Sequence, residues 1–377
     1  MCVQTYRRRL FFIGGFDPRG PRAIHRIWKQ EAPKQAQVSG GKIEVGPLSR
    51  LDDLRVSCVV QVERHGARAR TEVILLKWDD LVRKWWRRGS WSMMACLPAC
   101  VFTLWRSGVY RLARQRARPM FLSLMLPPVV LGLMLVVLAV LVGLAALAGW
   151  GMALVALAGG ISLMPLIWQA VDRRLGLSWL TQCVYYMGYG GSRELEDRRE
   201  RGEVFARDLI QALDSADVDE VAVVGFSLGA NEAIRALGLA LEQRPNLGQG
   251  RVKLSLILMG QLCAPYGQIG GDISFATARQ KVAQAKAIKI INVTSASDPA
   301  SACTLSPLEG LEGVDEGRVV NRRPRFHKLL TPERFAAIRR DPLAFHFQYL
   351  HATDVAGDYD WFGLTCGLTP VHQKEGV

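Results

Sequence analysis

Ser227 stands between Gly225 and Gly229 in VDEVAVVGFSLGA, residues 218–230, where a β-branched run meets Gly-Phe-Ser-Leu-Gly and then an alanine-rich stretch. A serine at the tip of a strained strand-to-helix turn is placed to attack an acyl carbonyl. Glycines two before and two after it are required because the neighbouring backbone comes too close for a Cβ. By chance the bare pattern turns up on the order of 0.1 times in a chain of this length, so the setting carries the weight. Val221, Val223 and Val224 predict a buried strand, and Asn231, Glu232, Ile234, Arg235 and Leu237 follow at helical spacing.

A serine hydroxyl is a poor nucleophile at neutral pH and needs a base, which needs an orienting acid. Both are expected downstream, acid before histidine. Asp298 follows the apolar run 288–293 in a Ser-Asp-Pro loop, at the carboxyl end of a strand, where functional groups gather in open α/β sheets. It also reads as a plain Asp-Pro turn. Asp272 and Asp315 are weaker candidates, because no strand leads into them. Four of the six histidines lie beyond the acid. His327 sits among basic residues before a helix start at Thr331-Pro332 and reads as surface or capping, and His372 lies in a polar tail taken as frayed. His346 and His351 share DPLAFHFQYLHATD, read as a short aromatic strand and a loop. Position favours His351, where the strand runs out. Shielding favours His346, between Phe345 and Phe347. An oxyanion needs backbone donors: Leu228, after the serine, supplies one, and Gly15 or Phe16 in FFIGGFDP the other, unless that loop is a simple turn.

The elements that must hold these residues surround a very different segment. From Pro119 to Val171 there is no charged residue. Roughly fifty helical residues extend about 75 Å against a bilayer core of about 30 Å, so the length suits two crossings. The expected spans are 128–148 and 152–168, turning at Ala148-Gly149-Trp150-Gly151, with Pro127, Pro128 and Pro165 at ends or kinks. Strands on both sides of the insertion must join one sheet, which requires an even number of crossings. Arginines crowd both flanks, as at Arg111, Arg114, Arg116, Arg173 and Arg174, and place them on the cytoplasmic side of an inner membrane. Trp85, Trp86, Trp91 and Trp105, interleaved with arginines, suit a helix at the headgroups or packing under the soluble part.

The net charge of +14 and pI near 9.7 are concentrated at this insertion, which favours an anionic membrane surface over nucleic acid as partner. Eight scattered cysteines without a C-x-x-C pair, and no histidines at ligand spacing, indicate free thiols and no metal. The apolar run near the N-terminus is too short for a signal peptide.

Elsewhere strands are expected at 9–16, 54–62, 70–77, 252–259 and 288–293, and helices at 21–37, 193–216, 229–242 and 276–287. This alternation implies a mostly parallel α/β sheet. Residues 1–80 and 176–377 form the two parts of one domain, and 81–175 hold the basic amphipathic segment and the hairpin.

Taken together, GFSLG at 225–229, GGFDP at 14–18, Asp298 and a late histidine resemble the α/β-hydrolase superfamily. The likeness is greatest to bacterial members with GFDPRG near the start and HFQYL near the end. That likeness implies helices on both faces of the sheet, a Ser-His-Asp triad whose base is His346 or His351, the HFQYL match leaning to His346, no cofactor, and esterase- or lipase-like cleavage of an acyl ester, that of a lipid included. An acyltransferase, a thioesterase or a non-catalytic scaffold would share the fold. The inserted hairpin departs from the superfamily and leaves the architecture of the substrate pocket open.

Overall fold

A computed structural model describes residues 5–314 and 316–374. The chain opens with β1 (Thr5–Ile13), α1 (Pro21–Ser39), β2 (Lys42–Val45), β3 (Ser49–Arg50), β4 (Arg55–Arg64) and β5 (Ala67–Leu76). Helices α2 (Asp79–Trp85), α3 (Ser90–Arg106) and α4 (Val109–Arg116) lead to α5 (Arg118–Leu147) and α6 (Trp150–Leu175). After α7 (Leu177–Tyr185) and a wide turn come α8 (Glu196–Leu213), β6 (Glu220–Phe226), α9 (Gly229–Gln243), β7 (Lys253–Met259), α10 (Cys263–Ile269), α11 (Ile273–Gln284) and β8 (Lys289–Val293). The last elements are β9 (Val319–Arg322), α12 (Phe326–Leu329), α13 (Pro332–Ile338), α14 (Pro342–Phe347) and α15 (Trp361–Thr365).

The strands form one mixed sheet in the order β2-β4-β5-β1-β6-β7-β8-β9, with β3 beside β4. β4 runs antiparallel to β2 and β5, whereas β5, β1, β6, β7, β8 and β9 are all parallel and end at one edge. Side chains alternate across a strand, and the core divides accordingly. Phe11, Ile13, Val221, Val223 and Leu256 pack under α3, α8, α9 and α11. Leu10, Phe12, Ala222, Val224 and Ile257 pack under α1, α14 and α15. The chain is therefore α/β with helices on both sides of a mostly parallel sheet.

Among the described residues, two helices are long and apolar enough to cross a membrane. With 30 and 26 residues, α5 and α6 extend about 45 and 39 Å, more than the ~30 Å hydrocarbon core. Both are longer than expected, and Pro127, Pro128 and Pro165 lie inside them. Apart from Ala153 near the tip, burial is confined to their feet, at Met120, Leu124, Pro127, Met164 and Trp168. The tip residues Leu147 and Trp150 are 85% and 82% exposed. A helix apolar all round needs an apolar surrounding, and the sheet does not provide it here.

The basic segment before the hairpin folds into α2, α3 and α4. Met93, Met94, Leu97 and Leu104 join the core, Trp85 and Trp86 lie against it, and Trp91 and Trp105 face outward.

Three local expectations are corrected. The aromatic stretch around His346 is the short helix α14, because the Asp341 side chain accepts from the Leu343 and Ala344 N–H groups at 2.9 and 3.0 Å and Pro342 starts the helix. The tail is anchored: Val371 is buried, and the N–H groups of Val371 and His372 donate to Glu220 at 3.0 and 2.9 Å. The short strands β2, β3 and β9 were not expected.

Candidate functional site

β6 is flanked by β1 and β7 and is buried along its whole length. Its end forces the turn that follows. Ser227 has φ +56°, in the left-handed region that a residue with a Cβ rarely adopts. Its N–H donates to Met259 O at 2.7 Å, which ties the strained turn to the end of β7. A Cβ on Gly225 would come within 2.5 Å of Ala230 Cα, and one on Gly229 within 2.1 Å of Gly14 O. Both glycines are thus required by close backbone approach.

The loop after β1 closes on the same spot. A Cβ on Gly15 would stand 2.9 Å from Ser227 Cβ. The backbone N–H groups of Phe16 and Leu228 make no hydrogen bond to another described residue, so both stay available to an incoming acceptor.

Asp298 lies in the loop after β8 and is fully buried. Its Oδ2 meets His346 Nδ1 at 2.9 Å and accepts from Tyr349 OH at 3.0 Å, while Oδ1 accepts from Ala300 N–H at 2.9 Å. A carboxylate only accepts, so Nδ1 carries the proton and Nε2 presents a lone pair. Nε2 is buried without a partner among the described residues, which makes it a ready proton acceptor. Ser227 Oγ makes no hydrogen bond to it in this conformation, a looseness common in unliganded sites. Phe226 stacks on the imidazole at a centroid distance of 5.0 Å, and Trp179 of α7 lies against it at 5.8 Å. Gly260, at φ +55°, leaves room for the ring, since a Cβ there would be 2.8 Å from His346 Cε1.

The structure therefore brings Asp298 and His346 together, with the imidazole stacked on Phe226, the residue before Ser227, and leaves the alternatives elsewhere. His351 faces Glu31 at 3.6 Å. Burial alone would raise the Glu31 carboxyl, but hydrogen bonds from His351 and Lys34 hold it at about 2. His327 is exposed, and His372 pairs with Glu220 at 3.1 Å. Asp272 caps α11 and is bound by Arg235 and Tyr266 in a buried cluster with Arg198 and Glu232. Asp315 lies outside the described residues.

Sequence reasoning missed Tyr349, Trp179 and Gly260. Tyr349 had a signal: it is three residues after His346, one helical turn away, once 342–347 is read as a helix. The site also touches the feet of the hairpin. α7, which holds Trp179, follows α6 directly, and its Ser178 Oγ accepts from Trp168 Nε1 in the foot of α6 at 3.4 Å.

Beside Gly15 lies a cavity of about 30 Å³, lined by Phe12, Trp78, Asp79, Phe226 and Phe347. That is space for about one water. No family model, no curated protein and no solved structure matches the chain.

Proposed function

We propose that the chain is a membrane-anchored serine hydrolase of the α/β-hydrolase type that cleaves an acyl ester, with its catalytic part on the cytoplasmic side of the inner membrane. The observation that carries this reading is Ser227, held at φ +56°, next to two N–H donors uncommitted among the described residues, with a histidine stacked on the adjacent Phe226 whose Nε2 has no partner among them. Ser227 Oγ attacks the acyl carbonyl and passes its proton to His346 Nε2. Asp298 holds the imidazole and stabilises its cationic form. The Leu228 and Phe16 N–H groups receive the oxyanion. His346 returns the proton to the departing alcohol, and water, deprotonated by the same nitrogen, then releases the acid and restores Ser227. A lipid substrate suits a site whose base lies against α7, the helix packed on the foot of an apolar hairpin. The basic residues around that hairpin favour the cytoplasmic face.

A scaffold role is the second reading, favoured by the missing hydrogen bond between Ser227 and His346. One experiment separates the two: labelling of the full chain with a fluorophosphonate probe. Wild type should label, Ser227→Ala should not, and His346→Ala should label far more slowly. Equal labelling of wild type and Ser227→Ala would sink the assignment.

A further inference from the structure

A second, larger cleft opens at the sheet edge that carries Ser227. It is a cavity of about 620 Å³ bordered by Arg19, Arg22, Arg50, Lys77, Asp79 and Arg83. Three of these cations are compensated: Arg19 pairs with Asp17 at 2.6 Å, Arg83 with Asp79, and Arg50 with Asp53. Arg22 makes no ion pair with a described residue, and Lys77 only donates to the backbone of Asp53 at 2.7 Å. Arg22 and Lys77 thus border the space without a carboxylate partner among the described residues.

Position sets the source of the missing anion. Arg19 and Arg22 follow the end of β1, Lys77 and Arg83 follow the end of β5, and Arg50 precedes the antiparallel β4. All lie at the edge from which the chain departs toward α5 and to which it returns after α6, where lipid headgroups would lie. The cleft also adjoins the site: Pro21 and Asp79 line both it and the small cavity beside Gly15. Asp79 is 7% exposed, and its buried Oδ1 has no hydrogen-bond partner among the described residues, which leaves an unused acceptor in the wall the two cavities share.

We propose that this cleft binds the phosphate-bearing headgroup of an anionic acyl lipid and so selects that lipid as the substrate of Ser227. Arg22 and Lys77 take the phosphate oxygens, a headgroup hydroxyl donates to Asp79 Oδ1, and the acyl ester falls toward Gly15. Charge-assisted contacts to phosphate are strong, and they position the substrate without touching the reacting carbonyl. The substrate half rests on the hydrolase reading; the binding half does not.

The test uses the full chain in a neutral detergent. In the active protein, Arg22→Gln with Lys77→Gln should raise KM for lysophosphatidylglycerol about ten-fold or more, leave kcat within about two-fold, and leave hydrolysis of a monoacylglycerol of equal chain length unchanged. In a Ser227→Ala background, tryptophan fluorescence reads binding alone, and the same pair of substitutions should weaken lysophosphatidylglycerol but not monoacylglycerol. Equal effects on the two lipids, or no effect on either, overturn the proposal. So does tight binding of free glycerol 3-phosphate, which would make the ligand a soluble phosphate. If nothing is hydrolysed but the binding difference persists, the hydrolase reading fails and the headgroup site stands.

Discussion

His346 turns Nδ1 to Asp298 Oδ2 at 2.9 Å and leaves Nε2 buried with no partner among the described residues. The carboxylate fixes the tautomer, and the tautomer decides whether the ring can take a proton from Ser227. Asp298→Asn keeps the shape and reverses the pattern, because an amide can donate to Nδ1 and drive the proton to Nε2. Turnover of a soluble p-nitrophenyl ester should fall about 10³- to 10⁴-fold in kcat, with the melting temperature close to wild type. Retained turnover would show that Asp298 only shapes its loop.

Tyr349 shares Asp298 Oδ2 with the histidine and also accepts the Ser295 N–H at 2.7 Å. Burial first, and then the neighbouring Asp298 charge, push its phenol well above the usual value, so it remains a donor. Tyr349→Phe loses one bond to the carboxylate, worth about 1 kcal/mol, and kcat should fall about five-fold. In an Asp298→Asn background the same change should add little, since the two act through one histidine. Steady-state kinetics of the double-mutant cycle check this.

The elbow was legible in the chain because close backbone approach leaves glycine the only residue able to fill 225 and 229, and Asp298 because a strand leads into its loop. The choice between His346 and His351 was not legible from the residues alone. An aromatic run such as AFHFQYL carries neither a clear 2-residue nor a clear 3.6-residue period, and the cap that decides it, Asp341, is a single residue outside the run. Lack of charge exposed the hairpin, but its full length was hidden: α5 starts at Arg118 and α6 continues through Asp172, Arg173 and Arg174. β2, β3 and β9 are too short to show a pattern. The cleft of Arg22 and Lys77 joins residues far apart in the chain, and only the sheet order brings them together.

Gly15 offers a test of the loop after β1. A methyl there would lie 2.9 Å from Ser227 Cβ and 3.4 Å from Oγ, so either the loop or the serine must move by a few tenths of an ångström. Backbone donors lose much of their effect when displaced from the oxyanion position. Gly15→Ala should therefore cut kcat at least ten-fold while the melting temperature stays within a few degrees. Activity and thermal melting of the same preparation decide it.

Beneath the elbow helix lies the charge cluster of Arg198, Glu232, Arg235 and Asp272, with Tyr186 and Tyr266 on its edge. All four charged side chains are almost fully buried. Burial alone would raise the Asp272 carboxyl, but hydrogen bonding and charge from Arg235, together with the charge of Arg198, outweigh it and hold the pKa at about 2, below the ordinary 3.8. A carboxyl whose folded value is depressed stabilises the fold above its unfolded pKa. That stability is lost as pH falls through the folded value. Wild type should therefore lose stability between about pH 4 and pH 2. Asp272→Asn should be destabilised near pH 7 and show a flatter dependence in that window. Asp272→Ala leaves Arg235 buried with less compensation and should cost about 3–5 kcal/mol. Thermal inactivation of the solubilised full chain at pH 7, 4 and 3 measures both. Parallel pH curves for wild type and Asp272→Asn would show that the acid sensitivity arises elsewhere.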